Sequence, residues 1–136
     1  MKVIVFVKAT ADSEASKMPD PEIFREMGRF NEQLIKAGVM LAGEGLTPSS
    51  KGKRVRFTGK QRAVIDGPFA ETKELVAGFW IWQVKSMDEA IEWIRRSPFQ
   101  EGEVELRPIM SIEDFGDLPA DVKEQEARLR KATSAQ

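Results

Sequence analysis

Three kinds of side chain are missing from this 136-residue chain: cysteine, histidine and tyrosine. Without cysteine there is no disulfide, no thiolate nucleophile and no zinc–thiolate site. Without histidine there is no Ser–His or Cys–His pair, and no group that titrates unperturbed near neutrality. Proton transfer must then run through Asp, Glu or Lys with a shifted pKa. A metal would find oxygen ligands alone, which suits a hard cation. No phosphate-binding glycine loop or dinucleotide fingerprint is present. No cofactor and no metal are therefore expected.

Long apolar runs are also absent. The longest are strand-length, too short to span a membrane. The opening Met1-Lys2-Val3-Ile4-Val5-Phe6-Val7-Lys8 looks superficially like a signal peptide. Its apolar part is too short, Lys8 interrupts it, and no small-residue cleavage site follows. It reads as a buried strand, and a cytoplasmic location is the expectation. An excess of one charge is missing too, since 21 basic residues face 22 acidic ones. That balance gives no general attraction to nucleic acid or to an anionic membrane.

What is present suffices for one domain: 41% of the residues are hydrophobic. Residues 2–8 predict a strand, and 10–17 a break. Asp20 and Pro21 are placed as N-cap and first residue of a helix. Its apolar stripe is Ile23, Met27, Phe30 and Leu34, flanked by Phe24 and Ile35, and Gly38 ends it in a left-handed cap. Val39 to Leu46 reads as a second strand, whose Gly43 and Gly45 signal a bulge or a close backbone approach. Lys53 to Thr58 and Gln61 to Ile65 predict a hairpin about Gly59-Lys60. Leu75 to Val84 is the strongest strand signal. Ser86-Met87-Asp88-Glu89 is a capping box that starts a helix with Met87, Ala90, Ile91 and Ile94 on one face. Glu103 to Met110 closes the series, with Val104, Leu106 and Pro108 on one side and Glu105, Arg107 and Ile109 on the other.

Beyond Asp114 the composition shifts. Residues 118–132 predict a charge-laced helix with Glu124–Arg128 and Glu126–Arg130 spaced to pair. The chain thus divides into a domain over 1–112 and a peripheral helix or tail over 113–136. Without the hairpin the order is βαββαβ. The fold class is α+β, ferredoxin-like, with an inserted β-hairpin.

A sheet of this kind has one face under its own helices and one face wet. Yet the strand over 75–84 is apolar on both sides, with Phe79 and Ile81 on one and Trp80, Trp82 and Val84 on the other. The strand over 2–8 shows the same doubling. Two tryptophans and a phenylalanine left in water would form a patch that monomers rarely carry. A second copy packed sheet against sheet is one cover. The C-terminal helix or the hairpin folded over that face is the alternative.

Charge gathers on the stiff turn Asp66-Gly67-Pro68-Phe69-Ala70-Glu71-Thr72-Lys73-Glu74. Asp66 reads either as a carboxylate at a cleft mouth or as an Asx-turn, with Gly67 supplying positive φ and Pro68 stiffening the exit. Glu71, Lys73 and Glu74 read as groups that share a proton or hold a cation, or as solvated residues in weak pairs. Glu71, just after Phe69, is the first choice for a ligand-facing acid. The catalytic candidates are therefore Asp66, Glu71 and Glu74. Ligand-binding candidates are Glu44, Asp66, Glu71, Lys73 and Arg107. Glu44 and Arg107 each sit in an apolar sheet context and, in the dimer reading, face the interior between the sheets, where Arg107 is either paired with Glu44, Glu71 or Asp66 or free to take an anion in a bidentate way. Lys51, Lys53, Arg54, Arg56, Lys60 and Arg62 make a basic hairpin, read as a solvated face more readily than as a nucleic-acid site. Ser49-Ser50-Lys51 offers only a formal Ser/Lys pair.

The 66–74 segment resembles the signature of the DGPF branch of the YCII-related family. Phe30-Asn31-Glu32, Ala37-Gly38, Gly43-Glu44-Gly45-Leu46 with Pro48, Gly78-Phe79, Asp88-Glu89-Ala90 with Trp93, and Glu105-Leu106-Arg107-Pro108-Ile109 fit in order. The resemblance covers about residues 1–112. It implies a dimeric α+β barrel of two ferredoxin-like protomers, hence a homodimer. Some relatives are read as enzymes through a His and an Asp in a cleft; Phe24 and Lys36 stand in those places here, so that mechanism does not carry over. The resemblance also implies an association with extracytoplasmic-function sigma factors. The sequence thus leads to a small polar or anionic ligand bound near the 66–74 turn. A non-catalytic regulatory module is the alternative.

Overall fold

The computed structural model describes residues 1–134; the last two positions of the expected tail, 135 and 136, lie outside it. Strand β1 spans Lys2–Lys8, β2 Met40–Gly45, β3 Lys53–Thr58, β4 Gln61–Asp66, β5 Val76–Gln83 and β6 Val104–Pro108. Helix α1 spans Ala11–Glu14, α2 Pro21–Lys36, α3 Met87–Arg95 and α4 Ala120–Ser134. A four-stranded antiparallel sheet has the order β2-β5-β1-β6, and β3 and β4 form a separate two-stranded sheet. With α2 joining β1 to β2 and α3 joining β5 to β6, the main sheet matches the ferredoxin-like plan.

Local chemistry explains the boundaries. The Asp20 carboxylate accepts the Glu22 N–H at 2.9 Å, Pro21 opens α2, and Gly38 leaves it at φ 72°. The Ser86 hydroxyl accepts the Glu89 N–H at 3.1 Å at the start of α3. The stretch 10–17, expected as a break, contains the short helix α1. Thr10 and Ser13 cap it reciprocally, with Ser13 in the place where a capping box usually has Glu or Gln.

Cross-strand register assigns the faces. Val3 pairs with Trp82 and Val5 with Trp80, and this face lies under Phe30 and Leu34 of α2 and Ala90 of α3. Trp82, Leu34, Val3 and Val5 are fully buried. The tryptophans are therefore covered by the protomer itself, contrary to the reading that would leave them on an uncovered face. Ile4 pairs with Ile81 and Phe6 with Phe79, and these four half-buried side chains occupy the open face. The α2 stripe is also narrower than its periodicity suggests. Phe30 and Leu34 are buried, whereas Ile23, Phe24 and Ile35 are exposed. The first turns of the helix overhang the core, and Ile35 sits about 100° around the helix from Leu34.

Gly43 shows why a strand interior holds glycine. A Cβ there would lie 2.7 Å from Cδ1 of Trp80, and the β2–β5 register shifts between Met40 and Ala42 just before it. Helix α4 forms its Glu126–Arg130 bond at 3.1 Å but contains no buried residue.

Candidate functional site

The turn that follows the hairpin is held by a polar clamp. Ser49 starts a short 3₁₀ turn over Ser49–Lys51. Its N–H donates to Oε2 of Glu14 at 2.9 Å and its hydroxyl donates to Oε1 of the same carboxylate. The Ser49 Oγ in turn accepts the Phe69 N–H at 3.1 Å. The Gly67 N–H donates to the Gly52 carbonyl at 3.0 Å. The guanidinium of Arg54 stacks over the Phe69 ring at 3.9 Å, a cation–π contact. One serine thus ties α1, the 49–52 loop and the 66–69 turn together. These bonds favour the charged form of Glu14 and hold its carboxyl below its ordinary range, the Ser49 hydroxyl contributing most.

Gly67 is required by proximity, not by positive φ as expected. A Cβ there would fall 1.8 Å from the Ser49 carbonyl oxygen. The Gly67–Pro68 peptide is cis. Downstream, the Leu75 carbonyl accepts the Ala9 N–H at 2.9 Å, and buried Leu75 anchors the segment to the main sheet.

On this scaffold the acids face water. Asp66 forms no Asx-turn bond; its carboxylate meets Nζ of Lys53 across the first pair of the hairpin, and both side chains are exposed. Glu71, the first choice for a ligand-facing acid, is exposed and sits in the left-handed region at φ 61°. A non-glycine residue there costs roughly 1–2 kcal/mol and is uncommon enough to mark a constrained position. Lys73 and Glu74 are exposed on the 3₁₀ turn over Thr72–Glu74. The structure therefore gathers Asp66, Glu71, Lys73 and Glu74 on one solvent-facing turn and encloses none of them.

Glu44 and Arg107 do not join that cluster within one protomer. Glu44 pairs with Phe79 on β2, Arg107 pairs with Ile4 on β6, and both project on the open face. They occupy opposite outer strands, about 14 Å apart across three strand spacings. Within the protomer the Arg107 side chain is 69% exposed and its carboxylate partner is Glu105 at 3.8 Å. Glu105 also meets Lys8 at 3.4 Å. The open face is thus an apolar strip of Ile4, Phe6, Phe79 and Ile81, with Glu44 on one margin and a Lys8–Glu105–Arg107 row on the other.

Two cavities lie elsewhere. A groove of about 1090 Å³ separates the Lys2, Gln83 and Ile109 end of the sheet from α4. A smaller one of about 370 Å³ lies among Val7, Ile94, Phe99 and Val104. No candidate from the 66–74 turn lines either of them, nor do Phe24 and Lys36.

Sequence reasoning missed Glu14, because 35 residues separate it from Ser49 and no spacing rule joins them. Thr10 and Ser13 carried the available signal: a capped helix there would have placed Glu14 on an ordered element. Asn31, noted within the Phe30-Asn31-Glu32 pattern, accepts the indole N–H of Trp80 at 2.9 Å. That bond satisfies a polar group in the core.

An uncharacterized protein of Rhizobium meliloti (strain 1021) is 29% identical over 121 residues, spanning 87% of this chain and 97% of that protein. Among solved structures, 5-chloro-2-hydroxyhydroquinone dehydrochlorinase (TftG) from Burkholderia phenoliruptrix AC1100, in complex with 2,5-dihydroxybenzoquinone, superposes with a TM-score of 0.47 at 15% identity. The superposition covers 86% of this chain and all of that one. The model of the YCII-related domain matches residues 1–113. The chain belongs to the YCII-related domain family.

Proposed function

We propose that this protein is a homodimeric small-molecule-binding domain. Two protomers pack open face to open face, and the ligand is a small polar or anionic molecule held at the rim beside the 66–74 turn. The observation that carries the reading is the open sheet face. Ile4, Phe6, Phe79 and Ile81 form an apolar strip with charged residues confined to its margins, the layout of an interface core with a polar rim. Burying one such side chain fully contributes about 1.5–3 kcal/mol. Four per protomer supply a substantial drive for association.

The ligand reading rests on the 66–74 turn. The clamp through Ser49 fixes its backbone, so Lys73 and the acids Asp66 and Glu71 are presented from a rigid base. Arg107 adds a guanidinium suited to carboxylate or phosphate, and Glu44 adds a carboxylate on the opposite margin. A proton transfer at this turn would run through Asp66, Glu71 or Glu74, its only carboxylates.

Amide chemical shifts followed during titration with inorganic phosphate and with malonate test the site. The expected result is a set of saturable shifts confined to residues 66–74 and the neighbourhood of Arg107, weakened in the Arg107→Gln and Lys73→Gln variants. Shifts elsewhere, or none with either anion, would overturn the anion-binding reading. The second reading is an interaction or regulatory module. The exposed hairpin and the unburied α4 favour it. Truncation after Asp114 separates the two, because the module reading loses its partner while the anion shifts persist.

A further inference from the structure

The open face of the main sheet carries its charges unevenly from edge to edge. Strand β2 has a single charged residue, Glu44, and no cation. The opposite margin, made by β6 and the end of β1, has two cations, Lys8 and Arg107, with Glu105 between them at 3.4 and 3.8 Å. Two further charged residues stand at the ends of this face: Lys2 opposite Gln83, and Glu103, whose carbonyl accepts the Lys8 N–H at 3.0 Å.

Two identical sheets packed face to face are related by a two-fold axis that lies between them. An axis across the strands lays β2 over β2. The two Glu44 carboxylates then face one another with no cation on either strand, and the cations gather on the other margin. An axis along the strands lays β2 of each copy over β6 of the other. The row Glu44, Phe79, Phe6 and Glu105 then meets the same row reversed, with phenylalanine on phenylalanine. Glu44 arrives beside the partner's Lys8 and the partner's Arg107. Glu105 shares that level, but it is already held between those two cations. A carboxylate enclosed between sheets needs a cation, so charge selects the axis along the strands.

The same choice decides which chain completes the candidate site. From Glu44 the chain passes through Leu46, whose N–H donates to the Ala77 carbonyl at 2.8 Å, and on into the 49–52 loop. That loop holds the 66–69 turn through Ser49. The Glu44 margin and the turn therefore share one corner of the sheet, while Arg107 of the same chain lies about 14 Å away on the far edge. We infer that each anion site is shared between two copies: one chain supplies Glu44 and the 66–74 turn, and the other supplies the Arg107 guanidinium with Lys8 beside it. A guanidinium has five N–H donors, enough for Glu44 and an anion together. The inference rests on the homodimer and anion-binding reading above and specifies the source of each group. It gives two equivalent sites per dimer, one at each margin, and a lone protomer has neither.

The chain has no cysteine, so introduced thiols report contacts cleanly. Full-length Glu44→Cys, Arg107→Cys and the double variant are treated with a bismaleimide of about 10 Å reach, the spacing of packed sheets. The double variant is expected to yield crosslinked dimer and each single variant only monomer on a denaturing gel. Circular dichroism and sedimentation check that each is folded and dimeric. Crosslinking of Glu44→Cys alone would put β2 over β2 and overturn the inference. A dimeric double variant that does not crosslink would overturn it too. A second measurement asks which chain's Arg107 meets the anion. Nitrogen-15-labelled native chain is refolded from urea with a tenfold excess of unlabelled Arg107→Gln, beside native chain refolded alone, and titrated with inorganic phosphate. The labelled 66–74 turn is expected to bind phosphate about tenfold more weakly, the loss of one charged contact, although its own Arg107 is intact. An undiminished response would show that Arg107 acts within its own chain, and the shared site falls. If the crosslink forms and the native dimer ignores phosphate, the pairing of margins stands while the anion reading and the shared site fall together. A native chain that sediments as a monomer at every concentration removes the homodimer and the shared site alike.

Discussion

The two faces of the main sheet divide one composition into two physical situations. On the covered face Val3, Val5, Trp80 and Trp82 interlock with Phe30, Leu34 and Ala90. Phe30 meets both indoles edge-on, with ring centroids 5.9 and 6.4 Å away, a favoured aromatic geometry. On the open face Ile4, Phe6, Phe79 and Ile81 touch one another across the ladder and stop half-buried. The same alternating strands supply both sets. What differs is the cover: two helices on one side, and nothing from the described residues of the protomer packed over the strip on the other. The covered face therefore carries the fold, and the open face carries association in our proposal.

The largest expected effect tests the first half of that division. Trp82→Ala removes a fully buried indole from the layer between the sheet and the helices. A loss of about 3–5 kcal/mol is expected from the transfer and cavity terms together, read as a fall in the urea midpoint. A loss below about 1 kcal/mol would mean that the layer collapses around the gap and that this face does not dominate stability. The Trp82 indole N–H has no hydrogen-bond partner among the described residues, so Trp82→Phe removes volume without breaking a bond and is expected to cost less than Trp82→Ala.

Gly67→Ala asks whether the fold depends on the covered face alone. The added methyl meets a backbone oxygen, which cannot swing aside as a flexible side chain would. A loss of roughly 3 kcal/mol is expected, at the upper end of ordinary overpacking. Hydrogen exchange is expected to accelerate first in 47–52 and 66–74, and only later in β1 and β5. Uniform acceleration would show that clamp and core unfold as one unit. Phe79→Arg addresses the open face. It is expected to cost the protomer about 1–2 kcal/mol, since Phe79 is half-buried beside Phe6, well below the cost of Trp82→Ala, while halving the sedimenting mass. A variant that stays dimeric would move the interface off this face.

The division between faces explains what the sequence made legible. Alternation in 2–8 and 75–84 announced a two-sided apolar strand, and the capping signals at Asp20 and Ser86 placed both long helices. Alternation alone does not say which face the helices choose. That depends on Phe30, Leu34 and Ala90 meeting Trp80 and Trp82, contacts that span up to fifty residues of chain. The candidate turn was legible as a stiff, charged stretch of chain, and the bonds that hold it were not. The charged turn at 66–74 was found, but Asp66 and Glu71 proved exposed because the side chain that holds the turn is Ser49. Arg107 falls on the open face, opposite Ile4, the face that the dimer reading would place between two sheets. Glu14 stayed hidden because a carboxylate on a four-residue helix has no periodicity to reveal it.

The smallest expected effect belongs to that carboxylate, which lies on neither face and so tests whether acid acts on the clamp alone. Two bonds from Ser49 lower the Glu14 pKa in the folded chain below its ordinary value of 4.5. A carboxyl with a depressed folded pKa stabilises the fold above its unfolded pKa, and that contribution disappears as the pH falls through the folded value. The clamp is therefore expected to be intact at neutral pH and to loosen below 4.5, with 66–74 losing protection from hydrogen exchange while β1 and β5 keep theirs. Carbon-13 titration of the Glu14 carboxyl reads the shift directly. In Ser49→Ala, where the hydroxyl bond is gone and the backbone N–H bond remains, the midpoint is expected to move back up toward the ordinary value. A midpoint unchanged by Ser49→Ala would show that the hydroxyl does not set the charge of Glu14.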